Sequence, residues 1–300
     1  MNPKAGRQRV DLWDRDLRSA LGALGVDHEI VRTSRPAEAG KLAATLATKH
    51  ELVAAVGGDG TVHEVAQGLV ATQCILGLIP NGSGNDVNRF LRMPRNVARA
   101  AAALASSTEI VSIDTAEVFI VKSLSGVQIK RWVINTLGLG YDAAVAFRRE
   151  RVPILKGLPL YLTSALWTLA DHSPQAFEIA LDDGHSRLME GFMVCLGIGK
   201  FEGGGFKVLP DAIHDDGLAD VCEVASVSKA RLLPLLIKAV FGAHTKSQYV
   251  RMSRARTATV RSSKPFAVHA DGELLSPDAT EVRYEIRPRS LKVAKFMSVV

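Results

Sequence analysis

What this sequence lacks narrows its class before any motif does. Its 300 residues include only three cysteines, Cys74, Cys195 and Cys222. An odd count in apolar surroundings such as Gln73-Cys74-Ile75-Leu76 excludes a disulfide framework, and the spacing excludes a zinc-type ligand set. Buried, reduced thiols in a cytosolic protein are expected. No run is long and apolar enough for a transmembrane helix. Val152–Ala170 is interrupted by Pro153, Lys156 and Pro159, and Leu232–Ala243 is too short. The opening Met1-Asn2-Pro3-Lys4-Ala5-Gly6 has no apolar core of the kind a secretory signal carries. Membrane contact, if made, is therefore expected to be peripheral. There is no internal repeat, low-complexity tract or long linker.

What is present reads as ordinary globular protein: 47% hydrophobic and 23% charged residues, enough for one large or two medium domains. The net charge of +6 suits an anionic partner, whether nucleotide, acidic membrane surface or nucleic acid, without choosing among them. In the first third, helical and strand patterns alternate. Leu12–Leu24 and Ala37–Lys49 read as helices, His28–Thr33, Leu52–Val56 and Ile75–Ile79 as strands, which predicts a parallel sheet flanked by helices. Past Asp114 the character changes. Thr115–Val121, Gln128–Asn135, Ala176–Leu181, Gly191–Gly197, Ala219–Ala225, Arg256–Arg261 and Glu281–Arg287 are β-branched and apolar, separated by turns. They predict an antiparallel second domain with helices near Asp142–Arg149, Leu158–Leu169 and Lys229–Phe241.

The strongest motif runs Leu52-Val-Ala-Ala-Val-Gly57-Gly58-Asp59-Gly60-Thr61-Val62-His63-Glu64. An apolar strand enters a glycine turn and then a helix. Glycines permit backbone conformations closed to other residues and close approach to a ligand. Thr61 and Glu64 have capping-box spacing, which predicts that the helix starts at the turn, and a helix N-terminus suits phosphate. A plain βα turn would explain one or two of the glycines but not Asp59, whose carboxylate would repel phosphate unless a cation bridged them. The pattern is neither Walker A nor the dinucleotide fingerprint. Ile75-Leu-Gly-Leu-Ile-Pro80-Asn-Gly82-Ser83-Gly84-Asn85-Asp86 repeats the design, although Asn85 or Asp86 alone could be a simple helix cap. In a parallel sheet both turns fall at the carboxyl edge, where open α/β folds bind ligands.

These residues resemble the diacylglycerol kinase catalytic family, which includes sphingosine and ceramide kinases and bacterial relatives. Nearly the whole chain takes part. Asn2–Gly6 resembles the family's opening loop, Gly57–Thr61 its signature and Pro80–Asp86 its second loop, with Ser83 where Thr is commoner. Gly203–Ala212, Asp216-Gly217-Leu218 and Asp271-Gly272-Glu273 resemble its later motifs. NAD kinases and phosphofructokinases carry something like the first loop alone. The whole set in this order is highly specific.

The resemblance implies an NAD-kinase-like α/β domain over residues 1–113 and a β-sandwich lipid domain over 114–290, with the active site in the cleft and residues 291–300 packing back on the first domain. It implies an ATP-dependent kinase acting on diacylglycerol or a related lipid at a membrane surface, with Mg²⁺, a cytoplasmic location at the inner membrane face, no nucleic-acid partner, and room for a homodimer. Nucleotide contacts would fall on Asn2, Gly6, Thr33, Gly57, Gly58, Asp59, Gly60, Thr61, Val62, His63, Glu64 and Ser83. A structural magnesium would sit on Asp216 and the carbonyls of Ile213 and Leu218, where the bland reading of Asp215-Asp216-Gly217 is a surface turn. Asp59, Asp86 and Asp114 are candidates for a catalytic Mg²⁺ network. Glu273 is the implied general base with Asp271 in support, a role that a raised pKa near a lipid cleft would suit. Asp-Gly is also a common hairpin dipeptide, and both readings can hold together. His63 and His269 read as structural. Phe147–Tyr161, with basic groups beside apolar ones, is a candidate membrane-facing surface or simply a solvated helix end. The alternatives are an NAD kinase and a catalytically inactive lipid- or nucleotide-binding relative. In the family an apolar strand precedes Asn-Pro, so the natural start is expected upstream of Met1.

Overall fold

The computed structural model describes residues 1–2, 10–106, 108–148, 158–182 and 184–296. In the first unit, Met1–Ile113 with Arg289–Val300, short apolar runs become strands and 3.6-periodic segments become helices. The helices are α1 (Val10–Ala23), α2 (Ala39–Leu46), α3 (Asp59–Leu69), α4 (Asp86–Phe90) and α5 (Val97–Ser106). The strands β1 (Leu52–Gly57) and β2 (Ile75–Pro80) pair in parallel from Leu52↔Ile75 to Gly57↔Pro80, which sets their carboxyl ends side by side. Leu17, Val56, Ile79, Ala100 and Ala101 form the buried core around them.

His28–Thr33, read above as a strand, is extended chain that belongs to no strand. Its partner is the chain start: the Met1 ammonium donates to Val31 O (2.9 Å) and Thr33 N donates to Met1 O (3.0 Å). Asn2 N donates in turn to Val56 O at 3.1 Å. Among the described residues that contact is too short for a ladder.

The second unit is Asp114–Pro288. Its strands are β3 (Thr108–Ser123, which starts in the first unit), β4 (Ile129–Val133), β5 (Thr136–Gly140), β6 (Gln175–Leu181), β7 (Arg187–Gly197), β8 (Ala219–Ala225), β9 (Val250–Ala255), β10 (Thr257–Ala270) and β11 (Glu273–Phe296). Its helices are α6 (Tyr141–Arg148), α7 (Leu158–Asp171) and α8 (Lys229–Val240). Successive pairings β10·β11, β5·β10, β5·β7, β6·β7, β7·β8 and β8·β9 are all antiparallel. The expected strand Gln128–Asn135 is divided: Ile134 and Asn135 break from β4 and lead into β5. β11 runs on past the unit boundary, and its Lys292 and Val293 lie parallel to Ile75 and Leu76 of β2.

β7 explains why Gly191–Gly197 is apolar throughout. Val194 and Leu196 point into a sandwich core with Phe177, Val268 and Val282. Met193 and Cys195 point into a second core with Tyr141, Leu232 and Leu235 from the helices. A strand covered on both faces loses the alternation of a half-exposed one. All three cysteines are buried thiols.

Candidate active site

Pairing in register brings the two glycine turns into backbone contact. A Cβ on Gly82 would lie 2.5 Å from the Gly58 Cα, and one on Gly84 would lie 2.5 Å from Asp59 Oδ2. None of Gly57, Gly58, Gly60, Gly82 and Gly84 has positive φ; the left-handed residue here is Asn85, φ 55°. The glycines thus serve close approach rather than unusual dihedrals, a correction to the sequence reading. Asp59 staples the loops: Oδ2 accepts from Asn85 N and Oδ1 from Asp86 N, both at 2.8 Å. Asp86 is buried, with Oδ1 3.4 Å from Arg89 Nε.

The capping-box expectation fails. α3 begins at Asp59 behind Gly58, with no side-chain cap, so Thr61 already lies inside the helix. Glu64 instead reaches a neighbouring helix, accepting from Ala37 N (3.2 Å) and Ala39 N (3.1 Å) at the start of α2. Thr61 Oγ1 accepts from Asn2 Nδ2 at 3.1 Å. Thr61, Val62 and His63 are buried. Asn2, Thr33 and Glu64 line one recess of 160 Å³. Ser83 lines another of 310 Å³ with Asn81, Asn85, Arg89 and Arg95. Gly6 lies outside the described residues, as does most of the Phe147–Tyr161 surface.

In the second unit, Asp271 (φ 53°) and Gly272 (φ 84°) form the turn between β10 and β11. Two positive φ values mark a type I′ hairpin turn, so the hairpin reading of Asp-Gly holds. The Asp271 carboxylate accepts three backbone N–H groups: Asn135 (2.9 Å) and Thr136 (3.1 Å) on Oδ1, Ile134 (3.1 Å) on Oδ2. That anchors Glu273, the next residue after the turn, which is partly exposed. Asp114 is buried in this unit and accepts from Gly217 N at 2.7 Å, so it braces the Asp215-Asp216-Gly217 turn. Asp216 pairs with Arg254 and accepts from Leu218 N at 3.1 Å. Ile213 is exposed.

A cavity of 80 Å³ lies among α6, α7, α8 and β7, with Val145, Met193, Phe206, Leu232 and Leu235 on its wall. Asp142 and Glu202 also line it. Both approach His269 Nε2, at 3.3 Å and 2.8 Å. Burial, then the Glu202 charge, pushes Asp142 up to about 6. Burial opposes charge on His269, while Glu202 and Asp142 outweigh it and raise the ring to about 10. Against a doubly protonated ring stands Gly272 N, which donates to Nδ1 at 3.1 Å. That bond assigns the proton to Nε2, between the carboxylates. One imidazole thus joins the cavity wall to the Asp271-Gly272-Glu273 turn.

The chain matches the family model described as the diacylglycerol kinase catalytic domain over residues 1–118. It matches the YegS C-terminal NAD kinase beta sandwich-like domain over 135–295. It is 31% identical over 241 residues to a diacylglycerol kinase of Mycobacterium tuberculosis, covering 80% of this chain and 76% of the relative. The chain belongs to the diacylglycerol kinase family. This lipid kinase is also 25% identical over 276 residues to a diacylglycerol kinase of Staphylococcus saprophyticus, covering 91% and 87%. A solved Bacillus anthracis structure assigned as a diacylglycerol kinase has a TM-score of 0.81 at 26% identity, over 100% of this chain and 96% of that one. Family membership makes the chain an enzyme with ATP as co-substrate.

Sequence reasoning passed over Asp142, Glu202, Arg89 and Arg95 in this kinase, and read His269 as structural. Asp142 and His269 are 127 positions apart, so no local pattern joins them. The available signal was an acid directly after the glycine-rich Gly138-Leu139-Gly140-Tyr141 run, and a histidine two residues before Asp271.

Proposed function

We propose that this lipid kinase transfers the γ-phosphoryl group of ATP to a hydroxyl of diacylglycerol or a related lipid, with ATP held by the first unit and lipid by the second. The observation that carries this reading is the apolar cavity whose wall is hydrogen-bonded, through His269, to the Asp-Gly-Glu turn. An NAD kinase has no use for a hydrocarbon cavity beside that turn.

In this reading the backbone amides of Gly58–Gly60, at the start of α3, receive phosphate oxygens, since the first amides of a helix have no internal partner. Asn2, Thr33 and Glu64 border the nucleotide on one side, and Ser83 with Arg89 and Arg95 on the other. Gly57 keeps the Thr61 side chain close, where a Cβ would clash. Asp59 and Asp86 bring two carboxylates together where the two loops meet, an all-oxygen donor set of the kind a hard cation prefers. Asp114, buried in the second unit, is a further candidate carboxylate for Mg²⁺. Asp216, whose carboxylate is paired with Arg254 here, would with the Ile213 and Leu218 carbonyls make a second oxygen-rich set by the family resemblance. Beside it, Asp220 Oδ2 is buried with no hydrogen-bond partner among the described residues, as suits a nearby cation. Mg²⁺ bound at these sets supplies charge neutralisation for the triphosphate and rigidity for the loop. Glu273 takes the proton of the attacking hydroxyl, and Asp271 holds Glu273 in place through the turn.

We place this work at the inner face of the cytoplasmic membrane, where such lipids are met. The test is incubation with γ-labelled ATP and a total lipid extract, followed by identification of the labelled product. A labelled lipid phosphomonoester is expected. Label on added NAD, with none on lipid, would overturn the reading.

A further inference from the structure

α8 has two apolar faces. Leu232, Leu235, Leu236 and Ala239 line the cavity described above. On the outer side Leu233, Ile237 and Phe241 are 40%, 53% and 74% exposed. Their i, i+4, i+8 spacing makes one stripe along the helix and its C-cap. A stripe of that size left in water is costly for a helix that already has a buried face, and such patches mark interaction surfaces.

The charge around the stripe selects the partner. Between Glu223 and Asp271 there is no acidic residue, and there are nine lysines and arginines. The whole chain is only +6, so the remainder is net negative and the basic charge is concentrated in this segment. Arg254 and Arg261 are engaged by Asp216, Asp220 and Glu281. Lys229, Arg231, Lys238 and Lys246 are exposed on α8 and the 3-10 turn after it. Lys229 Nζ donates to Ala170 O at 2.5 Å, and Arg231 stacks over Tyr249 at 5.6 Å, so two of these cations are held in place on the surface. An exposed apolar stripe flanked by fixed cations, on a segment that carries no acid of its own, fits the interface of an anionic bilayer.

We propose that the outer face of α8, with Leu233, Ile237 and Phe241 inserted and Lys229, Arg231, Lys238 and Lys246 at the headgroups, is the surface by which this kinase docks on anionic membranes. The consequence for catalysis rests on the lipid-kinase reading above. α8 then separates the cavity from the bilayer by one helix thickness, and the substrate's hydrocarbon has only to pass its edge. The docking itself needs no turnover.

The test is flotation of the full chain with vesicles of phosphatidylcholine alone and of an equimolar mixture with phosphatidylglycerol. Binding to the mixed vesicles, weak binding to the neutral ones and release by salt are expected. The I237D/F241D and K229E/K238E variants should each lose roughly tenfold or more in vesicle affinity. L188D, at another exposed leucine, should bind as the wild type does. Phosphorylation of a short-chain diacylglycerol dispersed in detergent should be unchanged in all three. The proposal is overturned if wild type ignores anionic vesicles, if neutral vesicles bind it equally, or if the α8 variants bind normally. Sedimentation equilibrium gives a further check: a dimer lost in I237D/F241D would assign the stripe to a second copy of the chain instead. Loss of dispersed-lipid activity in the wild type would count against the kinase reading and leave the docking result standing.

Discussion

Asp271 and Glu273 sit two positions apart and are built for different work. The Asp271 carboxylate faces three amides from a segment more than 130 positions away in sequence, a setting that holds a turn. Glu273 follows the turn and stays partly exposed. Glu273→Gln, which keeps shape and removes basicity, should lower turnover by roughly 10²-fold or more while ATP affinity stays near wild type. Single-turnover kinetics beside nucleotide titration checks this, and near-normal turnover would remove Glu273 as the base. Asp142 offers a pH test. Its folded value of about 6 lies above the ordinary 3.8. For a raised carboxylate, the stability it contributes is full below the unfolded value and is lost as pH rises through the folded one. Asp142→Asn removes the charge yet can still accept from His269 and donate to Glu202. It should raise the melting temperature at about pH 8, by the equivalent of roughly 1–2 kcal/mol, with the gain fading towards about pH 4. Equal gains at both pH values would show that charge is not the cause.

At the scale of elements, the crossing of α2 and α3 decides whether Glu64 reaches its amides. A Cβ on Gly40 would lie 2.8 Å from Glu64 O, and one on Gly68 would overlap Gly40 O. Gly68→Ala should therefore cost about 1–3 kcal/mol through overpacking and loosen the Glu64 contacts with Ala37 and Ala39. Thermal unfolding beside ATP titration would register both effects, and an unchanged melting point would mean that the helices separate freely. Such elements were legible in the sequence to different degrees. The glycine loops and the Asp-Gly hairpin are local chemistry and could be read directly. β9 was missed because Val250-Arg-Met-Ser-Arg-Ala255 carries two arginines in six residues and looks like a surface loop. β10 and β11 were seen only as fragments, since register shifts interrupt their apolar pattern between Arg261 and His269. The Glu64 cap on α2 and the Asp271 clamp depend on tertiary approach, and no spacing rule contains them.

For the molecule as a whole, the two units are not two consecutive stretches of chain. β11 begins at the Asp271-Gly272 turn in the second unit and ends against β2 in the first, where Leu291, Val293 and Ala294 are buried. Removing everything after Pro288 should therefore damage the unit farthest away in sequence. β2 would present an open edge and an uncovered apolar surface. The truncated protein should be poorly soluble and lose ATP binding, while the Asp114–Pro288 unit keeps its protected amides in hydrogen exchange. Normal nucleotide affinity in the truncated form would refute this.

The same threading has a consequence in time. A ribosome that has made the glycine loops still has the whole of Asp114–Pro288 to make before Arg289 and its successors emerge. At ordinary synthesis rates that wait lasts roughly ten to thirty seconds. Throughout it the nucleotide-binding half exists without its last strand, so the half made first is the half completed last. Slowing translation late in the message, or crowding the nascent chain, should therefore harm ATP binding before it harms the sandwich.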